Sequence, residues 1–139
     1  MPMMALVVDD SMLIRYTVCR YLEERGYSVE SATNGAEALE LLTRIQPDLI
    51  VTDLVMPKMS GRELITALKS KPETARVPIV IVAARSSDPE SEKRANYIIY
   101  KDIDIESQIA KALDELTGKN CTSLNREVAR LSELQSRLR

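Results

Sequence analysis

The segment Leu49-Ile50-Val51-Thr52-Asp53-Leu54-Val55-Met56-Pro57-Lys58-Met59-Ser60-Gly61 decides the fold. It opens on four residues with no polar alternation, which suits a strand covered on both faces of a parallel sheet. The run stops on an acid, Asp53, and passes into a turn marked by Pro57 and Gly61. Ser60 with Glu63 forms a capping box ahead of Leu64, Ile65 and Leu68, so the turn delivers the chain into a helix.

The same unit repeats outward. Ala5-Leu6-Val7-Val8, Ile79-Val80-Ile81-Val82 and Tyr97-Ile98-Ile99-Tyr100 are further continuous apolar runs, and Tyr27 to Ala32 alternates as an edge strand would. Ser11 caps a helix carrying Ile14, Val18 and Leu22, with Gly26 at its exit. Asn34 with Glu37 resembles a capping box before Ala38, Leu39, Leu41 and Leu42, and Pro47 ends that segment. Pro72 and Pro78 bracket a loop. Ile105, Ile109, Leu113 and Leu116 keep helical spacing, closed by Gly118. Strand and helix alternate about five times, which predicts an α/β fold: a parallel sheet with helices on both faces and right-handed crossovers. The polar stretch from Ser86 to Asn96 predicts a short, poorly anchored helix or a mobile loop. Residues 1–118 then form one domain and 119–139 a C-terminal helical extension or linker. In that tail Leu124, Val128, Leu131 and Leu138 fall on a heptad seam interrupted by Gln135. The seam suits a dimerising helix, a helix packed on the domain, or the start of a linker.

Composition narrows the chemistry. The chain has 139 residues, 45% hydrophobic and 29% charged, with a formal net charge of -2. Such a balance fits a globular domain and gives no support to direct nucleic-acid binding. Arg126, Arg130, Arg137 and Arg139 read as a solvated helix face. Histidine is absent, so no imidazole base or His metal ligand is available. Cys19 and Cys121 lack CxxC spacing and read as idle thiols of a reducing compartment. The N-terminus lacks a basic, signal-like region, and no apolar run reaches the roughly 18 residues of a membrane span. A cytoplasmic protein is the expectation.

In an open parallel sheet, functional groups gather beyond the carboxyl ends of the strands. Asp9 and Asp10 follow the first strand, Asp53 ends the third, Ala83 follows the fourth and Lys101 the fifth. Three carboxylates converging on one edge repel unless a cation neutralises them. A hard divalent ion with oxygen ligands does so, and Mg²⁺ is the usual choice beside phosphate. Lys101 supplies a positive charge for a phosphoryl oxygen, and a carboxylate can act as the nucleophile in phosphoryl transfer.

Together VVDDS, VTDLVMPKMSG, VPIVIVAA and a late Lys after an apolar strand resemble the receiver domain of two-component response regulators, over roughly Met4 to Leu116. The resemblance implies a doubly wound, five-stranded flavodoxin-like sheet of order 2-1-3-4-5, here with an extra C-terminal helix. It implies Asp53 as phospho-acceptor and Mg²⁺ held by Asp10, Asp53 and the Val55 carbonyl, with Asp9 acting through water. Lys101 matches the lysine that contacts the phosphoryl group, and Pro57 and Gly61 match the turn after the acceptor. The implied donor is a sensor histidine kinase or phosphotransfer protein. Output would run through protein contacts, including a homodimer through the tail helix. The implied protein is a signalling domain with at most slow autophosphatase activity, since apolar Val55 sits where the family tunes water access.

Some positions depart from the family pattern. Ala83 stands where a Ser or Thr is expected, Lys101 is followed by Asp102 rather than proline, and the switch aromatic is Ile98, flanked by Tyr97 and Tyr100. Asp102 is also placed to compete for Lys101. The stretch from Ala83 to Lys101 is short. These departures motivate the alternative of a pseudo-receiver, a binding module that signals without phosphorylation. An aspartate-nucleophile phosphohydrolase is disfavoured, because Asp53-Leu54-Val55 lacks that family's second acid.

Overall fold

The computed structural model describes residues 3–119, with side chains to residue 116. The tail seam, its arginines, Cys121 and the extra C-terminal helix lie outside the described residues. Five parallel strands are ordered β2-β1-β3-β4-β5: β1 Met4–Val8, β2 Ser28–Ala32, β3 Leu49–Thr52, β4 Ile79–Ala83 and β5 Tyr97–Tyr100. Four helices are described: α1 Met12–Glu24, α2 Gly35–Leu41, α3 Gly61–Lys69 and α4 Ile105–Lys119.

The continuous apolar runs serve two cores at once. Successive residues of a strand point to opposite faces. Ala5, Val7, Val51, Val80, Val82 and Ile99 therefore pack with Val18 and Leu22 of α1 and Ile109, Ala112 and Leu116 of α4. Leu6, Val8, Ile50, Ile79 and Ile81 pack with Leu64, Ile65 and Leu68 of α3 on the other face. β2 lies at one edge of the sheet, with β5 at the other, and is the most exposed of the five, as its alternation predicts.

Helix ends follow local chemistry. The Ser11 hydroxyl accepts from the Ile14 amide at 3.3 Å, and Gly26 leaves α1 with φ +94°. Ser60 and Glu63 complete the expected capping box. At α2 only half a box forms: Asn34 accepts from the Glu37 amide, while the Glu37 carboxylate takes the Thr33 hydroxyl. Gly118 does not close the last helix, because α4 continues through it to Lys119.

The expectation of a poorly anchored segment between Ser86 and Asn96 is corrected. The chain makes two single 3₁₀ turns, Arg85–Ser87 and Pro89–Ser91, that are tied to α3. Arg62 donates to the Ser87 and Asp88 carbonyls and the Ser91 hydroxyl at 3.2, 2.9 and 2.9 Å. The Glu92 carboxylate is buried between Arg94 at 2.8 Å and Arg62 at 3.6 Å, and Arg94 also reaches Thr66. The Asn96 side chain accepts from the Ile79 amide, which closes the segment onto β4. No described helix is long and apolar enough to cross a membrane.

Candidate functional site

The order β1-β3 brings the ends of two strands side by side, and one backbone bond, Asp53 N–H to the Val8 carbonyl at 2.9 Å, sets Asp53 beside Asp9. A carboxylate oxygen from each of Asp9, Asp10 and Asp53 lies within 4.8 Å of the other two. From β5, Lys101 anchors its amide on the Ala83 carbonyl at 3.0 Å and sends its ammonium into the cluster. It donates to Asp53 Oδ2 at 2.8 Å and stands 3.3 Å from Asp9 Oδ2. The expected competition from Asp102 does not occur: that carboxylate pairs with Arg85 at 3.3 Å.

The two inner carboxylates differ. Asp53 is oriented by the Leu54 amide on Oδ1 (2.7 Å) and by Lys101 on Oδ2. Asp9 Oδ1 accepts from the Ser11 amide at 2.8 Å, whereas its buried Oδ2 has the Lys101 charge nearby but no hydrogen-bond partner among the described residues. Burial raises the Asp9 carboxyl, the Ser11 amide pulls it back, and with Asp53 and Lys101 opposing each other it settles at about 6. Burial would lower the Lys101 ammonium, but the hydrogen bond to Asp53 and the charges of Asp9 and Asp53 outweigh it and the net shift is upward. Asp10 is exposed beside them.

The loop after Asp53 is shaped by two close approaches. A Cβ on Gly61 would stand 1.9 Å from the Asp53 carbonyl oxygen, so only glycine lets the start of α3 press against the acceptor. Gly35 does the same for the middle of the loop, where a Cβ would meet Met59 at 2.7 Å. Met56 and Met59 are accordingly packing residues. Val55 is 67% exposed, and Ala83 is fully buried and offers only a methyl group.

The structure thus brings together Asp9, Asp10, Asp53 and Lys101, with Ala83 at the adjoining strand end. Three contributors were not foreseen. The Thr52 hydroxyl holds the Asp53 carbonyl at 2.8 Å, Arg15 holds the Asp9 carbonyl at 2.8 Å, and Gly35 seats the loop. The one hydroxyl in an otherwise apolar strand run was the available signal for Thr52. All the atoms able to ligate a metal are carboxylate oxygens, two of the carboxylates are buried, and Asp9 Oδ2 has the Lys101 ammonium 3.3 Å away but no well-aligned hydrogen bond among the described residues. That set fits a hard cation such as Mg²⁺.

The sequence model of the family described as the response regulator receiver domain matches residues 5–114. A gliding motility regulatory protein of Myxococcus xanthus is 37% identical over 118 residues, which cover 81% of this chain and 15% of that protein. The response regulator MprA of Mycobacterium sp. (strain KMS) is 41% identical over 90 residues, which cover 65% of this chain and 38% of that protein. Among solved structures, the chemotaxis response regulator CheY4 of Vibrio cholerae superposes with a TM-score of 0.74 at 30% identity, covering 83% of this chain and 98% of that one. The chain therefore spans well under half the length of these two sequence relatives.

Proposed function

This chain belongs to the response regulator receiver domain family, and on that premise we propose that Asp53 accepts a phosphoryl group from a sensor histidine kinase or phosphotransfer protein, with Mg²⁺ bound beside it. The observation that carries the reading is the Asp53 carboxylate, held by Lys101 inside an all-oxygen acidic cluster. An Asp53 oxygen attacks the donor phosphorus. A P–O bond forms as the P–N bond to the donor's histidine breaks, and the bonding pair leaves with the imidazole nitrogen. Asp10, Asp53 and the Val55 carbonyl would hold the ion, with Asp9 close by, and when bound it would supply charge neutralisation at the phosphoryl oxygens. Lys101 transfers its hydrogen bond from the carboxylate to the new phosphoryl group.

The family is one of signalling domains rather than ordinary enzymes. Val55 stands exposed after the acceptor and carries no group able to orient a water, so hydrolysis of the acyl phosphate is slow. Residues 1–118 act as the receiver and 119–139 as an extension that serves contacts with partners or a second copy. The test is incubation with Mg²⁺ and acetyl phosphate followed by intact mass. A gain of one phosphoryl group, absent in Asp53→Ala and with EDTA, is expected; no gain in the wild type counts against the acceptor role.

The buried methyl of Ala83 favours a second reading, a pseudo-receiver that signals unmodified. In that case Asp53→Asn leaves partner binding unchanged.

A further inference from the structure

The departures from the family pattern share a neighbourhood. Ala83 pairs with Tyr100 across β4 and β5, and two residues beyond it stands Arg85. The Arg85 guanidinium lies 4.2 Å over the Tyr100 ring and 3.3 Å from Asp102 Oδ2. Its two partners are thus the residues immediately before and after Lys101, whose ammonium reaches Asp53. The Tyr100 hydroxyl in turn bonds Glu90 in the second 3₁₀ turn.

We propose that Arg85 is a phosphoryl-binding residue that replaces the hydroxyl missing at Ala83, parked on Tyr100 and Asp102 until Asp53 is modified. The proposal rests on the reading of Asp53 as the acceptor. Lys101 already balances Asp9 and Asp53, and converting the Asp53 carboxylate to an acyl phosphate replaces one negative charge by close to two, carried on the phosphoryl oxygens. Ala83 has no donor to offer them. Arg85 has a planar fork matched to phosphoryl oxygens, and what holds it now is weak: both partners of its ion pair are more than half exposed, where such pairs contribute little. A nearby dianion outcompetes a solvated carboxylate for the guanidinium. Moving Arg85 to the phosphoryl group uncovers the Tyr100 ring and leaves Asp102 unpaired, which changes the surface at the β4–β5 edge. Asp102, in the place of proline, thereby gains a role as the residue that holds Arg85 in the resting state.

The experiment follows uptake of phosphoryl from acetyl phosphate with Mg²⁺ by intact mass in the full chain. Arg85→Ala is expected to slow uptake about tenfold, the loss of one charge-assisted hydrogen bond, with an unchanged circular dichroism spectrum. Arg85→Lys, which keeps the charge but not the planar fork, recovers only part of the rate lost in Arg85→Ala. The diagnostic variant is Ala83→Thr combined with Arg85→Ala, which returns to within about twofold of wild type because the hydroxyl does the work of the guanidinium. Wild-type uptake in Arg85→Ala, or no recovery in the double variant, overturns the proposal. If the wild type takes up neither phosphoryl nor beryllofluoride, the acceptor reading itself fails and this inference falls with it.

Discussion

At Asp9 a carboxyl sits at about 6 in the folded chain against 3.8 in a solvated one, chiefly because it is buried. A raised acid favours folding only while it can hold its proton. Its contribution is complete below 3.8 and disappears as pH rises through about 6, a difference of about 3 kcal/mol for the metal-free protein. Asp9→Asn removes this dependence. Urea midpoints of variant and wild type, compared without metal at pH 5 and pH 8, should diverge in the variant's favour at the higher pH. A constant difference across that range would contradict it. Stabilisation by Mg²⁺ should grow over the same interval, since the ion needs the deprotonated acid. Asp9, Asp10, Asp53 and Lys101 were legible in the sequence because each terminates an apolar run, and the strand-end rule gathers such residues. Thr52 and Arg15 were not, because what they hold is a backbone carbonyl, and no side-chain spacing encodes that.

At the scale of elements, the strands and four helices were readable from runs, caps and glycines, and the fourth crossover was not. Apolar periodicity detects segments held by hydrophobic burial. This one is held by Arg62, Glu92 and Arg94, whose letters in a sequence look like solvated charge. Arg62 also follows Gly61, the residue pressed against Asp53, so the crossover is tied to the start of the helix that shapes the acceptor loop. Arg62→Ala strips hydrogen bonds from two carbonyls and a charge from a buried carboxylate, and should cost about 1–3 kcal/mol in urea unfolding. Arg20→Ala, which loses a 4.0 Å pair with Glu24 and a hydrogen bond to the Tyr16 hydroxyl, all of them solvent-exposed, should change stability far less. Equal effects would mean that the crossover is held by something other than these charges. The opposite misreading occurred at Gly118, where a glycine suggested a stop but α4 runs on, since glycine costs a helix only about 1 kcal/mol.

For the whole molecule, the sheet order explains why so small a constellation needs so much chain. Asp9 and Asp53 meet only because β1 and β3 are neighbours, and Lys101 arrives only after two further crossovers have added β4 and β5. The site is therefore a property of the assembled sheet, not of any local motif. Both faces of that sheet are covered within the described residues: α3 with α2 on one side, and α1 with Ile109, Ala112 and Leu116 of α4 on the other. Among the described residues, both cores and the acidic cluster are built from positions between Ala5 and Leu116. A chain cut after Lys119 should accordingly unfold in one cooperative transition and keep Mg²⁺-dependent uptake of phosphoryl at the rate of the full chain. If the Leu124 to Leu138 seam pairs two copies, light scattering should find the full chain dimeric and the cut chain monomeric, with uptake the same in both. A cut chain that folds but loses uptake would instead assign the tail to the site, and the division of the molecule into receiver and extension would have to be abandoned.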